Sequence, residues 1–175
     1  NGLARFTLYL DRFELLLIEA VKQPDAALYL YQNNARTPLF MLEGLSKLYS
    51  GILDKKQFAK LRQHFKHLED ALGAIDYYDT FAKDFTQDKK ISAKITKIVE
   101  QKAVEEASSL NEYLEESGWT GKKTNRIAKI RKKLSEAKWP KEKAELKAIE
   151  AFYRRSIEKI NAFASEYAAG FTELE

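Results

Sequence analysis

Apolar residues recur at intervals of three and four along almost the whole chain, and no useful stretch alternates apolar with polar at period two. A side chain returns to the same helix face about every 3.6 residues and to the same strand face every second residue. This spacing therefore commits the chain to helices and leaves nothing from which to build a sheet. Leu3, Phe6, Leu10, Phe13, Leu17 and Val21 form the first stripe and predict a helix over 3–22. Gln23-Pro24-Asp25 interrupts it, because proline cannot donate to the preceding turn but suits the start of a new helix.

A second helical stretch, 25–52, contains Thr37-Pro38 and is expected to kink or break there. Asp54 followed by Gln57 has the form of a capping box. Behind it Phe58, Leu61, Phe65, Leu68, Leu72 and Ile75 predict a long helix over 55–86. Another is expected over 90–117, ending at Gly118, where a left-handed cap is wanted. Ile127, Ile130 and Leu134 mark a short helix over 122–137. After Trp139-Pro140, the row Leu146, Ile149, Tyr153, Ile157, Ile160, Phe163 and Tyr167 marks a long one. The expected fold is all-α, an elongated antiparallel bundle of about five or six helices forming one domain over 1–175.

Composition narrows the chemistry. With no cysteine among 175 residues there is no disulfide framework, thiolate metal site or thiol nucleophile. Seven glycines, three prolines and no Gly/Ser-rich linker argue for a single uninterrupted domain. No apolar run approaches the ~18 residues that span a bilayer, so a soluble, cytoplasmic chain is expected. The first residue is asparagine, and a processed form or a piece of a longer protein is expected.

Charge is unevenly spread. Residues 1–88 carry 11 Lys and Arg against 12 Asp and Glu, whereas residues 89–175 carry 19 against 14. The window 122–147 holds eleven basic residues against three acidic ones. Within it Lys122, Arg126, Lys129 and Lys133 are spaced by four, three and four. They are expected to form one stripe opposite Ile127, Ile130 and Leu134. Such a stripe suits a polyanion: nucleic acid, inorganic polyphosphate or an anionic lipid surface. It also suits a solvated helix face with no ligand. Aromatic residues do not alternate with the basic ones, as they would in a single-strand binder, so sequence-specific nucleic-acid reading is not expected.

Nothing in the chain spells out a catalytic site. His64 and His67 lie one helical turn apart, but no acid stands three residues before either in the pattern that di-iron bundles use. They are expected to border the core stripe. Asp76 and Asp79 share a helix face and are expected to accept from a neighbouring arginine. Glycine-rich phosphate loops, the nucleophile elbow and the two-histidine zinc motif are all absent. No enzyme, cofactor or metal is expected.

Residues 33–85 carry a family likeness. The run Phe65-Lys66-His67-Leu68-Glu69-Asp70-Ala71-Leu72-Gly73-Ala74-Ile75-Asp76-Tyr77-Tyr78-Asp79 resembles the second helix motif of the CHAD family, the conserved-histidine α-helical domains. Its Leu-Gly pair and last aspartate are in register. The preceding Asn34-Ala35-Arg36-Thr37-Pro38-Leu39-Phe40-Met41-Leu42-Glu43 keeps one arginine and one leucine of the family's first motif. Asn33 stands at the histidine position, Phe40, Met41 and Glu43 at arginine positions, and Asp76 at the arginine position of the second motif. The resemblance implies one four-helix half of a CHAD domain plus an N-terminal helix. It further implies inorganic polyphosphate as ligand, with Arg36 and Lys66 as the matched basic positions. Gly73 has a physical reading as well, since its missing Cβ would let a neighbouring helix approach.

Two functions are thus expected: a non-catalytic module binding polyanions such as polyphosphate, or a scaffold for a protein partner or a second copy of the chain.

Overall fold

The computed structural model describes residues 1–88, 90–120 and 125–172, with side chains as far as Tyr167. Among the described residues there are seven helices and no strand: α1 (Gly2–Ala20), α2 (Ala26–Gln32), α3 (Arg36–Ser50), α4 (Lys55–Gln87), α5 (Ala93–Glu116), α6 (Arg126–Glu136) and α7 (Glu142–Thr172). The bundle is the all-helical one that the spacing dictates. Short polar side chains start most of its elements, each accepting one of the backbone N–H groups that a first turn leaves unpaired. Asn1, Asp25, Asp54, Ser92 and Asn125 do this for α1, α2, α4, α5 and α6.

The stretch 25–52 is broken into α2 and α3, which brings the expected five or six helices to seven. The break falls at Asn33-Asn34-Ala35, three residues before the proline that suggested it. Asn34 takes φ 55°, a left-handed turn that asparagine tolerates better than most residues. Pro38 then sits inside the first turn of α3, where its missing N–H costs nothing.

Helix α4 is the spine. Arg36 and Glu43 of α3 meet Asp76 and Arg62 of α4, so the two helices run antiparallel. His67 of α4 lies against Tyr113 of α5 at 4.0 Å between ring centroids, near the far end of α5. The core is continuous. Phe6, Leu10, Phe13 and Leu17 of α1 are buried together with Leu39 and Leu42 of α3, Phe58, Leu61, Phe65, Leu68 and Leu72 of α4, and Ile127, Ile130 and Leu134 of α6. At one end Phe6, Tyr49, Phe58 and Trp139 form a ring cluster with centroid separations from 5.1 to 6.1 Å. Beneath it Glu145 of α7 is buried, accepting from the Gly2 N–H at 2.6 Å and from the Tyr49 hydroxyl. One carboxylate thereby ties the starts of α1 and α7 to the end of α3.

Burial stops short of two elements. The outer half of the α4–α5 hairpin and α7 from Tyr153 onward leave large apolar side chains in solvent. No helix among the described residues is long and apolar enough to cross a membrane.

Candidate functional site

Helix α6 is seated by its apolar row and by one arginine. Ile127, Ile130 and Leu134 enter the core, and Arg131 reaches Asp11 at 2.6 Å and Glu14 at 2.5 Å on α1. At 100° per residue, Arg126, Lys129 and Lys133 stand about 100° from the buried row rather than opposite it. The expected solvent-facing stripe is therefore a flank of α6, and it faces α4. Lys122, the first member of that stripe, lies outside the described residues.

Between this flank and α4 is a cleft of about 310 Å³. Lys60 and His64 line it from α4; Arg126, Lys129, Lys132 and Lys133 line it from α6. The single carboxylate among the described residues of its wall is Glu136, 3.9 Å from Lys132. Gln57 bridges the two helices, its amide donating to the Lys133 carbonyl at 3.0 Å. Lys60, Lys129 and Lys133 form no ion pair with any described residue. Among the described residues no Phe, Tyr or Trp lines the cleft for a base to stack on.

Arg126 is held from three sides. Its Nε donates to the Ser117 carbonyl at 2.9 Å, its guanidinium lies 5.9 Å from the centre of the Trp119 ring, and Nη1 donates to His64 Nε2 at 3.2 Å. Accepting there requires a neutral His64 ring with its proton on Nδ1. Burial is the main reason the His64 pKa falls below that of an ordinary histidine, and Arg126, Lys133, His67 and Lys60 push the same way. An electropositive cleft with five cations and one carboxylate is what an anion would complete.

The residues matched to the CHAD motifs lie elsewhere. Gly73 and His64 are nine residues apart, half a turn out of phase on α4, so the Arg36 cluster is on the opposite side from the cleft. Arg36 forks onto Glu69 at 2.7 Å and Asp76 at 3.0 Å. Lys66 pairs with Asp70 at 2.6 Å. Both basic groups are neutralised by carboxylates of α4, all three in the helix segment that carries the motif. Gly73 makes room for the Arg36 guanidinium, 3.1 Å from where a Cβ would stand, and not for a helix backbone as its missing side chain suggested. Asp76 accepts from Arg36 as expected, whereas Asp79 accepts from the Tyr31 hydroxyl and Lys83.

His64 and His67 point to different partners, Arg126 and Tyr113. Among the described residues no group of three or more His, Asp or Glu could hold a metal ion. Lys60 and Gln57 were not legible as site residues, since only the packing of α4 beside α6 brings them to the cleft. No protein-family model, curated protein or solved structure matches this chain.

Proposed function

We propose that this chain is a non-catalytic, cytoplasmic helical module that binds polyanions through the α4–α6 cleft. One observation carries the reading: five Lys and Arg residues from two helices converge on one cleft whose wall holds a single carboxylate. Inorganic polyphosphate is the ligand implied by the resemblance of residues 33–85 to CHAD domains. With no Phe, Tyr or Trp among the described residues of the cleft, a bare phosphate chain is favoured over a nucleic acid. The test is binding of labelled polyphosphate at two salt concentrations, with unrelated nucleic acid as competitor. Steep weakening with salt is expected, because each phosphate contact releases condensed counterions. A Lys129→Glu, Lys133→Glu variant should lose the binding. Arg126 is left intact there because it also holds His64 and Ser117.

A second reading rests on α7. Tyr153, Ile157, Ile160, Phe163 and Tyr167 are each more than half exposed and follow a helical stripe. A scaffold that pairs through this stripe would show a mass in solution that rises with protein concentration and responds little to salt. Its Ile157→Glu, Ile160→Glu variant would stay monomeric.

A further inference from the structure

A second basic cleft, of about 470 Å³, opens where the end of α3 and the start of α4 meet the middle of α7. Lys55, Arg155 and Lys159 line it, with no carboxylate among the described residues of its walls. None of the three forms an ion pair with a described residue. Arg155 spends only its Nε, on the Ala151 carbonyl at 3.2 Å, which leaves the outer nitrogens of the fork unused. The floor is Phe152, whose ring would lie about 3.0 Å from a Cβ on Gly51; the glycine is what lets α7 seat there.

The first two turns of α4 separate this cleft from the α4–α6 cleft, and they are basic on the outside. Phe58 and Leu61 point into the core. Lys55, Lys56 and Lys60 lie on the exposed side, within about 140° of arc. Lys55 belongs to one cleft, Lys60 to the other, and Lys56 stands between them. The carboxylate just before them in the chain, Asp54, caps α4, accepting from the Gln57 N–H at 2.9 Å.

We infer that the two clefts are the ends of one track, along which a linear polyanion crosses the start of α4 from Lys129 and Lys133 to Arg155 and Lys159. This rests on the polyanion reading above and adds a length requirement to it. A short oligophosphate occupies one cleft. A long chain engages both and gains affinity from the second without any new contact in the first, because its second engagement is intramolecular.

The test compares tripolyphosphate with polyphosphate of about a hundred units on three proteins: the native chain, a Lys55→Gln, Arg155→Gln, Lys159→Gln variant, and a Lys22→Gln, Lys94→Gln, Lys97→Gln variant. The last removes the same charge away from both clefts. Circular dichroism checks that each folds. The first variant should bind the long chain about tenfold more weakly, with a log–log salt slope lower by about three, one for each lost contact. Its loss on tripolyphosphate should be much smaller, and the second variant should match the native protein. Equal loss in both variants would reduce the effect to net charge and overturn the track. Unchanged long-chain affinity in the first variant, with binding still abolished by Lys129→Glu, Lys133→Glu, would overturn the track while leaving the α4–α6 site standing. No binding by the native chain to either ligand would overturn both.

Discussion

Replacing Glu145 by alanine removes a buried carboxylate that joins three helices. Glu145 is 4% exposed and Tyr49 is fully buried, so neither the Tyr49 hydroxyl nor the Gly2 N–H would find water in exchange. A buried donor left without an acceptor costs about 1–3 kcal/mol, and two such donors give about 2–6 kcal/mol. Relief of the cost of burying the carboxylate itself offsets part of this, leaving a destabilisation of about 2–4 kcal/mol. For a chain of this size that is a fall in Tm of about 4–16 °C. Urea denaturation of the native protein, Glu145→Ala, Tyr49→Phe and the double variant would measure it, with a coupling of about 1 kcal/mol or more between the two positions. A loss below about 0.5 kcal/mol for Glu145→Ala would refute the reasoning. The same contact has a pH signature. Burial and the bond to Glu145 raise the Tyr49 pKa well above its ordinary value, so the folded chain keeps a proton that the unfolded chain releases above about pH 10. Stability should therefore fall as pH rises through that point, and less so in Tyr49→Phe.

The His64 ring should titrate below the ordinary histidine value in the free protein and move upward when polyphosphate is added, read by NMR on the imidazole signals. Because the unfolded ring protonates first, His64 should also make the free protein lose stability as pH falls below about 6.5, and His64→Gln should flatten that limb. Arg131→Ala should weaken anion binding though Arg131 lines neither cleft, since α6 loses its anchor on Asp11 and Glu14; the cost in stability is expected near 1 kcal/mol by urea denaturation. Gly2→Ala should cost about 1–3 kcal/mol, as its Cβ would enter the rigid rings of Tyr49 and Trp139. Gly73→Ala should be neutral or stabilising by about 0.5 kcal/mol, because the helix gains alanine's propensity and the obstacle is the end of a long arginine.

Helices were legible wherever the apolar period was long. The stripe from Phe58 to Ile75, continued by Phe81 and Phe85, placed the end of α4 within one residue of the observed one, and Asp54 fixed its start. The break between α2 and α3 was legible in kind but displaced, because Pro38 advertises itself in the sequence whereas the left-handed turn at Asn34 does not. Arg126, Lys129 and Lys133 could be picked out because they lie on one helix. Their opposite wall, Lys60 and His64, comes from residues more than sixty positions away. Arg155 and Lys159 carried no signal at all, being spaced by four in a helix that also holds acids. A one-dimensional reading finds charges that share a helix; it does not find charges that packing brings together from two.

Helix α1 contributes no cation to either cleft, yet both hang from it. Arg131 fastens α6 to its middle through Asp11 and Glu14, and Glu145 fastens α7 to its first residue. It works as a clamp, holding the outer wall of each cleft against the α4 that both share. A substitution that shifts or shortens α1 would leave every cation in place along the chain yet draw α6 and the start of α7 away from α4. Such a change would weaken a ligand that fits one cleft as well as one long enough to cross between them.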